Sequence, residues 1–148
     1  MVHVTVTETP TAQWTAPQLL EAFPWDTAPR HVLRDRDAVY GAVFSSQLRC
    51  LGIQEVKIAP RSPWQNPYVE RFIGTLRREC LAHVVVLSHA HLRRVLSADL
   101  AYDHEARTHL SLGKDAPEPR SVERPDRGRI VATPIVGGLH HRYTRRAA

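Results

Sequence analysis

The chain has 148 residues, 43% hydrophobic and 24% charged, with a formal net charge of +5. That length and apolar content allow one buried core and exclude a wholly disordered polar chain. No apolar run is long enough to span a membrane, no signal-peptide pattern precedes Thr11, and two isolated cysteines exclude a disulfide framework, so a cytoplasmic protein with no membrane partner is expected.

In chain order, Glu8 is the one acid before Glu21 and lies near a turn at Pro10. Thr15 and Gln18 have capping-box spacing, which predicts a helix presenting Leu19, Leu20 and Phe23 up to Pro24. His31, Val32 and Leu33 read as a short buried strand. The acidic pair Asp35 and Asp37 follows at its C-terminal end, where α/β folds build sites. After Gly41, Phe44, Leu48 and Leu51 share one helical face, and Gly52 frees the chain to enter a strand from Ile53 to Ile58.

The segment APRSPWQNPYVERFIGTLRRE at 59–79 is the most informative. Asn66 suits a helix N-cap and Pro67 the first helical position, so a helix is predicted from Pro67. Its apolar stripe is Val69, Phe72, Ile73, Leu76 and Cys80, and Asn66, Glu70 and Arg77 lie together on one border, facing a cleft. Glu70 is also favourable simply as a first-turn acid near the positive end of the helix dipole. Trp64 either packs to stiffen the loop, the favoured reading, or stacks on a displaced base.

Ser88 predicts the cap of a further helix reaching about Glu105, with Leu92, Val95, Leu96 and Leu100 inward. Glycine and prolines mark residues 113–119 as a linker. Beyond it, residues 120–148 hold seven arginines against Glu123 and Asp126, whereas residues 1–119 sum to zero charge. Such a tail either binds phosphate backbones through counterion release or is a solvated end. Two β-prone runs around Gly137 and Gly138 read as a small hairpin ending in Arg145 and Arg146, with Pro134 at an edge position. The nine histidines lack metal-site spacing, and Cys50 and Cys80 read as reduced, partly buried thiols.

RDRDAVYG at 34–41 with Phe44, LGI at 51–53, PWQNPYVERF at 63–72, GTLRRE at 74–79 and YDHEARTH at 102–109 occur in that order. Together they resemble the catalytic core of DDE integrases and bacterial insertion-sequence transposases, including retroviral-type integrase domains, from about residue 2 to residue 120. The resemblance implies a ribonuclease-H-like α/β fold and a catalytic triad of two aspartates and a glutamate. It also implies Mg²⁺ (or Mn²⁺) as cofactor, and DNA, both transposon ends and target, as partner. Counted back from Tyr40, Asp35 rather than Asp37 matches the second aspartate, and its separation of 35 positions from Glu70 resembles the family spacing. Asp35 and Glu70 are therefore the expected catalytic residues and metal ligands. Asn66, Arg77 and Arg78 are expected to touch DNA, as are Arg142, Arg145 and Arg146 in the tail.

The family's first aspartate lies upstream of the strand that residues 2–6 resemble, and Glu8 is in the wrong register to replace it. An N-terminally truncated core is therefore expected: a ribonuclease-H-like fold lacking its first two strands over 1–112, a linker at 113–119 and a basic tail at 120–148. Unpaired strand edges between 2–6 and 31–34 would make the chain marginally stable and prone to aggregate. The expected function is DNA integration or transposition, as part of a Mg²⁺-dependent transposase, a polynucleotide transferase that is inactive alone. The alternative is a non-catalytic DNA-binding or oligomerisation fragment of a transposase, a decayed mobile-element remnant. Either reading allows a homo-oligomer or a complement from an upstream fragment.

Overall fold

Helices and short strands alternate through the first half of the computed structural model, which describes residues 3–24 and 27–147 and is a mixed α/β protein. Two compact units divide after Thr75, and each is described by itself.

The first unit contains α1 (Ala12–Ala22), β1 (His31–Arg34), α2 (Ala42–Cys50), β2 (Gln54–Lys57) and the start of α3 (Pro67–Glu79). β1 and β2 pair in parallel, His31 opposite Gln54 and Arg34 opposite Lys57, with α2 as the crossover helix that parallel neighbours require. Ala16 and Leu19 from α1, Phe44 and Leu48 from α2, and Ile53 form the core, with Val32, Tyr40 and Leu51 packed against it. The strand expected from Ile53 to Ile58 pairs only over Gln54–Lys57, and both flanking isoleucines are buried.

Two expectations in this unit are corrected. The cap of α1 is Thr11, whose hydroxyl accepts the Trp14 N–H at 3.2 Å; Thr15 sits inside the helix and donates to the Thr11 carbonyl at 2.7 Å. Thr11 wins because its hydroxyl and carbonyl both take first-turn donors, and the helix then runs through Pro17. Residues 3–6 are not a strand, and Val2 lies outside the described residues. Among the described residues no strand pairs with this segment, and it is held beside α1, His3 Nε2 lying 2.9 Å from Gln18 Oε1 and 3.6 Å from Glu21.

The second unit contains the end of α3, α4 (His89–Glu105) and an antiparallel hairpin of β3 (Arg129–Ile135) and β4 (His140–Arg146). Ser88 caps α4 through the His91 N–H at 3.1 Å. The buried stripe of α4 differs from expectation: Val95 is buried, but so is Asp99, whereas Leu92, Leu96 and Leu100 are half-buried. Asp99 is accommodated by a hydrogen bond with the Cys80 thiol and by His140 at 3.5 Å, and His140 in turn stacks on Tyr102 with ring centroids 4.3 Å apart. Of the two thiols, Cys80 is fully buried and Cys50 is exposed.

The hairpin turns through Gly137 and Gly138, both at positive φ. The Arg145 N–H leaves the ladder to bond Glu123, so Ile130 and Arg145 are a non-hydrogen-bonded pair. Counting by twos makes Pro134 and His141 such a pair too, and the missing N–H of Pro134 removes no ladder bond.

Candidate functional site

The site is built where two parallel strands end. Arg34, the last residue of β1, is buried and directs its guanidinium at Glu55 of β2, with Nε 2.7 Å and Nη2 2.5 Å from Oε1. Its Nη1 also donates to the Asp35 carbonyl at 2.7 Å. Ser45 of α2 adds a bond to the same Glu55 oxygen at 2.9 Å. Burial pushes the Glu55 carboxyl up, but the bonds from Arg34 and Ser45 and the charges of Arg34 and Lys57 outweigh it, and its pKa is lowered.

The chain beyond each strand is then pinned. Arg36 Nε donates to the Ile58 carbonyl at 3.0 Å, tying the loop after β1 to the end of β2. Gln65 Oε1 accepts the Ala59 N–H at 2.7 Å, tying the proline loop to that same end. Arg61 between them holds φ at 57°, the left-handed region that non-glycine residues seldom adopt and that concentrates at functional sites. Asn66 accepts the Glu70 N–H on its carbonyl at 3.2 Å, so α3 starts where the sequence predicts.

These constraints bring Asp35 and Glu70 to one cleft of about 250 Å³, whose wall also includes Arg36, Arg61 and the buried Ser62. Both carboxylates are exposed. Asp35 Oδ1 accepts the Asp37 N–H at 3.0 Å, while Asp37 turns its own Oδ1 to the Val39 N–H and caps a short 3₁₀ turn. The pKa of the Tyr40 hydroxyl is raised by its burial and by the charges of Asp35 and Asp37, with Arg34 opposing them; Arg34 lies 5.6 Å from the ring centre.

As a donor set, two exposed carboxylates on one cleft fit a single hard divalent cation, which takes one or two carboxylates and completes its shell with water and phosphate oxygens. Asp35 and Glu70 would hold it. Among the described residues no group of three or more His, Cys, Asp or Glu is placed to hold a metal, so this cleft by itself does not supply the ligands of a cation pair.

The other expected site residues are dispersed. Asn66 does not line the cleft. Arg77 follows Glu70 by two helical turns, about 10 Å along the same face of α3, and Arg78 is rotated off that face; both are exposed. Arg142 is paired with Glu105 at 3.0 Å, Arg145 donates to the Gly128 carbonyl at 3.0 Å, and Arg146 is exposed. Trp64 is 70% exposed, which corrects the favoured packing role: Gln65, not Trp64, fastens the loop. Val69 is exposed as well, so the buried side of α3 is narrower than its apolar stripe. Sequence reasoning missed the Arg34–Glu55 pair and the Arg36 and Gln65 tethers. The one local signal was the position of Glu55, two residues after the buried Ile53 and so on the same side of an extended chain.

Residues 51–117 match the family model of the integrase core domain, a span that includes Glu70, Asn66, Arg77 and Arg78 but not Asp35. The chain is also similar to the uncharacterized 39.2 kDa protein of insertion element IS476 from Xanthomonas euvesicatoria. The two are 32% identical over 113 residues, 76% of this chain and 33% of that protein. The chain thus spans about a third of the length of that relative. No helix among the described residues is long and apolar enough to cross a membrane. The segment at 51–117, with Glu70 on its first long helix, belongs to the integrase core family.

Proposed function

We propose that the protein is part of a transposase catalytic core that acts on DNA phosphodiesters, with Asp35 and Glu70 as its metal-holding acids and Mg²⁺ or Mn²⁺ as the ion. The observation that carries this reading is the convergence of Asp35, from a strand end, and Glu70, from a helix start, on one cleft beside Arg36 and Arg61. A bound divalent cation supplies Lewis-acid activation of a phosphodiester oxygen. The protein's own part is positional. Arg34 and Glu55 hold the strand ends in register, the Arg36 and Gln65 tethers fix the two loops, and Arg61 offers a cation to a phosphate oxygen at the cleft. Asn66, Arg77 and Arg78 extend the contact along the DNA backbone.

Two carboxylates are fewer than a two-ion site needs, so we expect no turnover by this chain alone and activity only with further acids supplied from another segment or subunit. The test has two readouts. Mn²⁺ binding, followed by its electron paramagnetic resonance signal, should be lost in Asp35→Asn and in Glu70→Gln; binding that survives both substitutions removes the site assignment. Mg²⁺-dependent nicking of an end-containing duplex by the chain alone, abolished by either substitution, would overturn the expected inactivity.

A second reading, a DNA-binding or oligomerisation fragment without turnover, is favoured by one feature: the whole formal charge of +5 lies in residues 120–148. DNA retention that is unchanged after removal of those residues would count against it.

A further inference from the structure

A cleft of about 690 Å³ in the second unit lies between the segment that follows α4 and strand β4. One wall carries Lys114 and Arg120, the other Arg142, Tyr143 and Arg145. Its two acids are turned to backbone donors. Asp115 Oδ1 accepts the Ala116 N–H at 2.8 Å, and Glu123 accepts the Arg145 N–H. Four cations against two acids leave the cleft positive.

One observation points to an anionic partner. The Nε of Arg120 is buried and has no hydrogen-bond partner among the described residues, a state that native proteins rarely leave without water or a ligand. Arg145 of β4 also lines the cleft. On the same strand Tyr143 lines the cleft and is 63% exposed, an aromatic face open to a flat partner.

We propose that this cleft binds a single-stranded nucleic-acid segment, with Arg120 on a phosphate and Tyr143 stacked on an unpaired base. A positive groove with an aromatic platform is the recurring arrangement for unpaired strands. A volume in the range of small-molecule sites is enough to admit a nucleotide. Arg142 and Arg145 contribute charge but keep their guanidiniums on Glu105 and Gly128, so Arg120 is the anchoring cation. The inference extends the reading that the chain works on DNA, but it does not depend on the Asp35 and Glu70 cleft.

The experiment is fluorescence anisotropy of the full chain with a labelled single-stranded oligonucleotide, without divalent cation, so that failure at the acidic cleft leaves the result unaffected. Arg120→Gln and Tyr143→Leu should each weaken binding about tenfold. Arg49→Gln, which removes an equal charge from the exposed end of α2, should leave it nearly unchanged. Tyr143 is exposed, so its variant tests the cleft even if the Arg120 variant fails to fold. Equal losses for Arg120→Gln and Arg49→Gln would reduce the effect to bulk charge and overturn the proposal. So would an unchanged affinity in Tyr143→Leu, a duplex of the same sequence bound as tightly, or an acidic peptide bound in preference.

Discussion

The two clefts are opposite in sign and in construction. In the first unit the acids Asp35 and Glu70 are exposed, and the scaffold that places them is tied down by contacts one step away: the buried Arg34 to Glu55, Arg36 to the Ile58 carbonyl, and Gln65 to the Ala59 N–H. In the second unit the charged groups themselves serve as the ties. Arg142 goes to Glu105, Arg145 to Gly128, and Arg107 to both Glu79 and Asp103. A site for a small hard cation needs ligands left open on a rigid frame, whereas a surface for an extended polyanion tolerates cations with partial duties inside the fold. An arginine-rich tail therefore overstates the number of cations available to DNA.

The sharpest way to break this contrast is to remove the tie in the first unit. Glu55→Ala leaves the buried Arg34 guanidinium unpaired and should cost about 3 kcal/mol in urea unfolding. A loss below about 1 kcal/mol would mean that the frame does not rest on this pair. Next in size is Gly128→Ala. Gly128 has φ +107°, and a Cβ there would run into the Arg146 carbonyl, so the variant should lose about 1–3 kcal/mol and open the base of the hairpin. Mn²⁺ binding at the Asp35 cleft serves as its internal control and should persist.

The pH dependences sharpen the contrast further, because Glu55 in the first unit and Cys80 in the second carry opposite signatures. Glu55 has a lowered pKa in the folded state, so its contribution is present above the unfolded value, about 4.3, and is lost as pH falls through the folded pKa. Cys80 runs the other way. Burial first, then the neighbouring Asp99 carboxylate, pushes its thiol up to about 11. Its contribution is complete below the unfolded value, about 8.5, and declines as pH rises through the folded pKa. Hydrogen exchange should show β1 and β2 amides released first in acid, and those of α4 released first in alkali. Cys80→Ala should flatten the alkaline decline. The smallest expected effect is Thr11→Ala, about 1 kcal/mol through the lost cap of α1; a Thr15→Ala loss larger than that would restore the capping-box assignment.

Much of the fold was legible because its signals are local. Pro67 after Asn66 marks the start of α3, Ser88 that of α4, and paired glycines mark the hairpin turn; each acts within a few residues through a cap, a fixed φ or a left-handed turn. The errors were also local in form but decided from a distance. Thr15 has the right spacing to cap a helix and loses to Thr11. The resemblance at 3–6 promises a strand, yet a strand exists only where a neighbour pairs with it. Trp64 looks like a packing residue, but a glutamine beside it does the fastening.

By itself the amino-acid sequence determined the starts of α3 and α4, the hairpin, the concentration of charge in the tail and the resemblance that the comparison at residues 51–117 bears out. Caps, prolines, glycines and motif order are properties of neighbouring residues. The resemblance also named Asp35 and Glu70 together; only the tertiary structure decided how their loops are tied to one cleft and which arginines are already taken. Asp35 and Glu70 are 35 positions apart, and Arg142 meets Glu105 across 37. Such encounters depend on how strand ends, loops and helices are brought together, and side-chain charge carries no record of its partner until the chain has folded.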